Sequence, residues 1–175
     1  KNKTPGILVA GRGNMEATPD SVGPKAVSNL MITRHIAETE DDKFAIISAI
    51  SPGVMAQTGM ETSEIISGII NRTAPDVLIV IDSLAARKLS RLTATIQISN
   101  TGIEPGSGVG NNRKAINKET MGIPVIAIGV PTVVDASTLV SDLNPEVEEK
   151  ASESQFYKSM YVTSKDIDAL IKRIS

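Results

Sequence analysis

The chain has 175 residues, 41% hydrophobic and 22% charged, and its 18 basic and 20 acidic side chains leave a formal net charge of −2. This length and composition fit one compact domain and exclude a disordered or fibrous chain. With no cysteine and one histidine, the sequence excludes disulfides, a cysteine nucleophile and every intrachain metal motif that needs thiolates or two histidines. The four aromatic residues and the near-neutral charge argue against direct nucleic-acid binding. No apolar run reaches the about 18 residues of a membrane span.

Short apolar runs alternate along the chain with stretches of helical spacing, a pattern typical of an α/β fold. In chain order, strands are predicted at residues 6–10, 44–48, 77–81, 93–98 and 124–128. Helices are predicted at residues 25–36, 62–72, 131–139 and 164–174, the last with Thr163 as its N-cap. The run at 77–81 is the clearest central strand, and we expect it to end at Asp82. The run at 93–98 alternates with period two, which indicates a half-exposed antiparallel strand.

One segment and both chain ends depart from this regular pattern. Residues 142–158 are acidic and poor in apolar side chains, so they are predicted to form a mobile excursion. The chain begins without methionine or the apolar core of a signal peptide, and its last helix stops without a glycine cap. We therefore expect a single domain over residues 1–175, processed or trimmed from a longer chain.

Candidate catalytic residues follow the predicted strands, because sites in open α/β sheets form beyond the carboxyl ends of the strands. Asn14 and Asp20 follow the first strand, Asp82 ends the third, and Glu104 follows the fourth. A water molecule between two carboxyl groups can lose a proton to one while the other protonates the reacting group. The alternative is that Asp20 only caps the next helix and Asp82 only caps a loop.

Other familiar motifs do not fit the sequence. Glu16 stands where a dinucleotide-binding fingerprint beginning at Gly11 needs its third glycine, and no phosphate-binding P-loop is present. His35 is interpreted as a surface or packed side chain. The glycine-rich run Gly106, Gly108 and Gly110 could cradle an anion, with an ordinary surface turn as the alternative.

Several long strings resemble the germination proteases of spore-forming bacteria. They are SPGVMAQTGMET at 51–62, VIDSLAAR at 80–87, TIQISNTG at 95–102, PGSGVGN at 105–111 and GIPVIAIGVPTVVDA at 122–136. The resemblance runs from about residue 6 to residue 136 and resumes near residues 161–171. It implies a fold similar to that of hydrogenase maturation peptidases, with three α/β/α layers around a mixed, mostly parallel sheet.

The resemblance also implies an activity, that of an atypical aspartic endopeptidase which degrades small acid-soluble spore proteins during germination. Asp20 lies in a Thr-Pro-Asp motif and Asp82 in an Ile-Asp-x-Leu-Ala-Ala-Arg motif, the two positions that the family uses for catalysis. The family further implies a zymogen, a homotetramer and a cytoplasmic location in the spore core. We expect no metal, no cofactor, no direct nucleic-acid partner and no membrane association.

Three further side chains are candidates for supporting roles. Asn14 would shape the first loop, and Arg87 would orient Asp82, neutralise acidic substrate or form a structural ion pair. Glu104 stands in a segment where the family often has histidine. Three other functions stay open at this point: a metal-sensing peptidase of the hydrogenase maturation type, a non-catalytic binding module, and an anion-binding protein that uses the Gly106–Gly110 loop.

Overall fold

The computed structural model describes residues 4–36, 45–104, 113–143 and 155–167. The chain forms two compact units, Lys1–Ser83 with Gln97–Gly129 and Leu84–Ile96 with Val130–Ser175. The single domain expected over residues 1–175 stays a prediction. Within the described ranges, no helix has both the length and the apolar character needed to cross a membrane.

The first unit is built on a mixed sheet with the strand order β2-β1-β3-β5-β4. Its strands are β1 Gly6–Gly11, β2 Ile46–Ile50, β3 Val77–Ala86, β4 Gln97–Ser99 and β5 Val125–Asp135. β1 pairs in parallel with both β2 and β3, whereas β4 pairs antiparallel with β5. The predicted mixed, mostly parallel sheet is therefore confirmed, as is the antiparallel fourth strand.

Helices cover both faces of this sheet. They are α1 Val22–Ser28, α2 Met55–Thr58, α3 Thr62–Thr73 and α4 Lys118–Met121, with a 3₁₀ turn at Thr18–Asp20. Leu8 and Ala10 of β1 share a buried core with Ile66 of α3. A Cβ on Gly11 would lie 2.7 Å from the Val27 side chain of α1. Because successive residues of a strand point to opposite faces, α3 and α1 lie on opposite sides, which confirms the predicted three-layer arrangement.

The second unit contains the ends of β3 and β5 and three short elements, α5 Ala136–Leu143, α6 Gln155–Ser159 and β6 Tyr161–Thr163. β6 pairs antiparallel with residues 133–135 of β5. Ala86, Leu92 and Val134 form a small buried core.

Two predicted helices have wrong boundaries, each for an identifiable reason. The helix predicted at 25–36 ends at Ser28, because Thr33 turns back to β2 and donates its N–H to the Ile47 carbonyl at 3.1 Å. The helix predicted from residue 131 begins only at Ala136. Residues 131–135 continue β5, and the Asp135 carboxylate caps the helix by accepting the Thr138 N–H at 2.8 Å.

Four predicted strands also differ from the observed ones. Those predicted at 44–48 and 124–128 are observed at Ile46–Ile50 and Val125–Asp135. The strand predicted at 93–98 begins at Gln97, because Thr93 adopts a positive φ of 54° that a strand cannot contain. β3 does not end at Asp82 but continues to Ala86. The strand predicted at 6–10 and the helix predicted at 62–72 are confirmed, each extended by one residue.

The last predictions fall partly outside the described residues. Residues 164–167 are helical, and the Thr163 hydroxyl accepts the Asp166 N–H at 3.4 Å, as an N-cap does; the remainder of the helix predicted to residue 174 lies outside the described chain. In the excursion predicted at 142–158, residues 144–154 also lie outside the described chain. Its described residues on either side belong to α5 and α6.

Candidate active site

The candidate site lies at the end of β1, beside β3, which continues beyond that end. The last residue of β1, Gly11, lies opposite Ile81 of β3. The next N–H, that of Arg12, donates to the Ile81 carbonyl at 2.8 Å. Asp82 is therefore the first residue of β3 beyond the end of β1. It lies at the carboxyl edge of the parallel strands, as the strand-end argument predicts, although β3 itself runs on.

Arg12 and Asp82 form a buried ion pair. The Nη1 of Arg12 donates to Oδ2 of Asp82, and the two residues are only 9% and 8% exposed. The other carboxyl oxygen, Oδ1, accepts the Ser83 N–H at 3.0 Å. Each oxygen of the Asp82 carboxyl group is thus held by one donor, so the orientation of this group is determined by its surroundings.

Asp20 is positioned by the loop that follows β1. Its Oδ2 accepts the backbone N–H of Asn14 at 2.8 Å. Gly13 adopts a φ of +117°, and a Cβ there would lie 1.9 Å from the Asp20 carbonyl oxygen and 3.0 Å from Oδ1. Only glycine fits this turn, since any side chain would collide with the residue that the turn positions.

The pKa of Asp82 is raised above its ordinary value, mainly because burial disfavours the charged carboxylate. The negative charge of Asp20 raises this pKa further, while the guanidinium and hydrogen bond of Arg12 and the Ser83 N–H offset part of the rise. Asp82 contacts Arg12, and Asp20 accepts the Asn14 N–H two residues further along the same loop. The catalytic role of Asp20 and Asp82 stays a prediction.

Glycine also allows α1 to pack directly against this site. A Cβ on Gly23 would lie 2.2 Å from the carbonyl oxygen of Arg12 and 2.6 Å from that of Ile81. Both contacts are with backbone atoms, which cannot move without moving the strands. Helix α1 therefore supports the backbone of Arg12 and of the residue before Asp82.

A second loop is connected to the first through Asn14. The Asn14 Oδ1 accepts the Glu16 N–H at 3.0 Å and the Nε2–H of Gln57 at 3.3 Å. Gln57 belongs to α2, in the loop that follows β2. Asn14 thus contacts Asp20 through its backbone and the neighbouring loop through its side chain, a more definite position than sequence analysis assigns to it.

Comparison with known proteins identifies the family of this chain. Residues 2–147 match the family model described as germination protease. The chain belongs to the germination protease family. Over 97% of its length it is 48% identical to the germination protease of Caldanaerobacter subterraneus subsp. tengcongensis, and over 77% it is 60% identical to that of Priestia megaterium. The resemblance stated from the sequence motifs is confirmed.

The chain spans 62% of the first of these germination proteases and 38% of the second. Among solved structures, a similarity is found to the [NiFe] hydrogenase maturation protease HybD from Thermococcus kodakarensis. The TM-score is 0.35 and the identity 13%, over 72% of this chain and 79% of that protein. A TM-score this low carries no conclusion about fold or function.

The remaining predicted site residues of this germination protease chain are exposed. Arg87 follows β3 directly, and Glu104 follows the backbone bridge between Ile103 and Ile116. The guanidinium that contacts Asp82 belongs to Arg12, which sequence analysis does not single out. Supporting roles for Arg87 and Glu104 stay predictions, and residues 105–112, with the proposed anion cradle, lie outside the described chain.

The signal for Arg12 is present in the sequence. A charged residue stands between Gly11 and Gly13, immediately after an apolar run of strand character. A charged side chain at the end of a buried strand needs a partner, and the flanking glycines indicate close backbone packing. As for metals, no group of three or more His, Cys, Asp or Glu side chains suited to an ion is found among the described residues.

The raised pKa of Asp82 predicts a definite dependence of stability on pH in this germination protease chain. Between the unfolded-state pKa, about 4, and the higher folded-state pKa, the folded chain binds more protons than the unfolded chain. The free energy of unfolding contributed by Asp82 is therefore complete below about pH 4 and is lost as pH rises through the folded-state pKa. Asp82→Asn removes this contribution. The free energy of unfolding of the variant minus that of the parent is therefore expected to increase as pH rises.

Urea denaturation of parent and Asp82→Asn between pH 3.5 and 7.5 measures this difference. The exchange of a protonated carboxyl group for an amide adds an offset that does not change with pH, because the attraction of Arg12 for ionised Asp82 is already part of the folded-state pKa. The slope of the difference, and not its value at one pH, is thus the test. A difference that decreases with rising pH would contradict the raised pKa.

Proposed function

We propose that this chain carries the catalytic site of an aspartic endopeptidase that hydrolyses small acid-soluble spore proteins. Membership of the germination protease family supports this function, and the relatives named above are germination proteases. A location in the spore core, activation from a zymogen and assembly as a homotetramer are parts of the same proposal, which the sequence resemblance implies.

The observation that carries the proposed chemistry is the unlike environment of two carboxyl groups that both contact the loop after β1. Asp82 is buried and has a raised pKa, whereas Asp20 is half-buried and accepts one backbone N–H. Pairs of carboxyl groups with different environments divide the roles of acid and base between them. One carboxyl group of the pair therefore holds a proton while the other removes one from water.

The proposed reaction proceeds in two steps. The ionised carboxyl group of the pair takes a proton from water while the water oxygen bonds to the scissile carbonyl carbon, and the protonated one gives its proton to the carbonyl oxygen. This forms a neutral gem-diol. The first carboxyl group then gives the proton it took to the amide nitrogen as the C–N bond breaks, and the second recovers a proton from a diol hydroxyl. The second step leaves a carboxylic acid, an amine and both aspartates in their starting forms.

The test is cleavage of a purified small acid-soluble spore protein by this chain, followed by mass spectrometry. Cleavage at a few defined bonds is expected, with one ¹⁸O atom from labelled water in each new carboxyl group. The control is a reaction with the Asp82→Asn variant, in which the substrate should stay intact. No cleavage by the parent, or equal cleavage by the variant, would contradict the proposal.

A further inference from the structure

Arg12 is a buried cation whose charged partner in the structure is Asp82. Its side chain is 10% exposed, and its Nη1 contacts one oxygen of the Asp82 carboxyl group. We infer that Arg12 is a positioning residue of the reaction, which holds the Asp82 carboxyl group in a fixed orientation beside Asp20. This inference depends on the proposed function, since it assigns a role within that reaction.

Stability alone does not account for this arginine. Removing a guanidinium and a carboxylate from water has a large desolvation cost, and apolar side chains of similar size at such a pair often leave a protein equally or more stable. In addition, Nε of Arg12 is buried and has no hydrogen-bond partner within the described part of the chain. An unpaired buried donor is itself unfavourable. The pair is therefore better explained by what it does to Asp82.

The backbone around Arg12 is well suited to holding its side chain in one place. The Arg12 N–H is bound to the Ile81 carbonyl, one residue before Asp82. Gly23 of α1 packs against the backbone of both Arg12 and Ile81. The backbone of Arg12 is thus hydrogen-bonded to the residue next to Asp82. A shift of one member of the ion pair would therefore move the other.

Among the described residues, the charged groups that act on the Asp82 pKa are Arg12 and Asp20, which have opposite effects. Without Arg12, no positive charge from the described residues would oppose the negative charge of Asp20. Its pKa would then rise further, and its orientation would depend on the Ser83 N–H alone. Both the rate at a given pH and the pH range of activity should change.

The experiment compares the parent with Arg12→Met, which keeps the length and removes the charge, and Arg12→Lys, which keeps the charge. Arg12→Met should lower kcat about 100-fold, the effect of misplacing a reacting group by about 1 Å. KM should stay within about two-fold of the parent value, because the Arg12 side chain is only 10% exposed and so offers little surface for substrate to contact. The limb of the kcat profile that reports Asp82 should move to higher pH, and Arg12→Lys should recover part of the rate and of the profile. Arg72→Met, on the exposed face of α3, is the matched control and should leave all of these values unchanged.

A second measurement does not depend on activity. The Asp82 carboxyl is titrated by ¹³C NMR in the parent and in both Arg12 variants, whose folding is checked by circular dichroism; if Arg12→Met does not fold, Arg12→Lys and Arg12→Gln replace it. A higher Asp82 pKa in the uncharged variants supports the inference. An unchanged titration together with an unchanged kcat profile overturns it. If Asp82→Asn keeps full activity, the proposed function fails, whereas the NMR titration still decides whether Arg12 controls Asp82.

Discussion

Replacing Asp20 or Asp82 with asparagine is expected to lower kcat for cleavage of spore protein by about 10²- to 10⁴-fold, the contribution of a well-placed acid or base. Asparagine has nearly the same shape as aspartate but cannot carry the proton that the reaction moves. Purified variants are assayed by initial rates of substrate cleavage over a range of pH. Thermal unfolding, followed by circular dichroism, shows that each variant is folded.

The double variant tests whether Asp20 and Asp82 act together or contribute independently to kcat. Groups that act as one unit lose their function together, so Asp20→Asn with Asp82→Asn should be hardly slower than either single variant. Glu119→Gln, an exposed carboxyl group on α4, is the matched control and should keep the parental rate. Multiplicative losses in the double variant, or a single aspartate variant with most of its activity, would exclude the paired mechanism.

Replacing Gly23 with alanine is expected to reduce the free energy of unfolding by about 3 kcal/mol, the upper range for forcing extra volume into a packed interior. The new Cβ would lie 2.2 Å from the Arg12 carbonyl oxygen and 2.5 Å from the Arg12 nitrogen. Because these are backbone atoms, α1 must move away from the sheet or Arg12 must move with its partner Asp82. Urea denaturation measures the loss of stability, and activity should fall with it.

The control for this substitution is another glycine to alanine change in a helix. Gly68 lies on the exposed side of α3, and a Cβ there would meet no atom within 4 Å. Gly68→Ala should therefore stabilise the chain by up to about 1 kcal/mol, through the better helix propensity of alanine. If the two substitutions had similar effects, close packing of α1 on Arg12 would be wrong.

The parts of the fold that the sequence predicts well are those with a clear hydrophobic period. β1 and α3 are long or apolar enough for their pattern to indicate their type and extent. β6, by contrast, has three residues, Tyr161–Thr163, which are too few to show an alternation. Because β6 cannot be recognised, the sequence does not show that β5 continues through Pro131 to pair with it. A proline at that position instead suggests the first turn of a helix.

For the candidate site, sequence reasoning finds the two carboxyl groups but not what surrounds them. Asp20 and Asp82 follow apolar strands, and that position can be identified along the chain. The partner of Asp82 cannot be identified in this way, because pairing Arg12 with Asp82 requires knowing that β1 and β3 are neighbours and in which register. Arg87, close to Asp82 in sequence, is the natural choice when only sequence distance is available.

The register of β1 against β3 connects the candidate site to the folding of the chain. Two side-chain contacts lie at opposite ends of this ladder: the Gly6 N–H donates to Asp76 at 2.7 Å, and Arg12 contacts Asp82, each across 70 residues. A slip of one residue would break both contacts and turn Asp82 to the opposite face of the sheet. Closing so long a loop has a large entropic cost, so parallel pairing of this kind is a slow, late event. A chain that is still folding therefore lacks the contact between Arg12 and Asp82 that the candidate site requires.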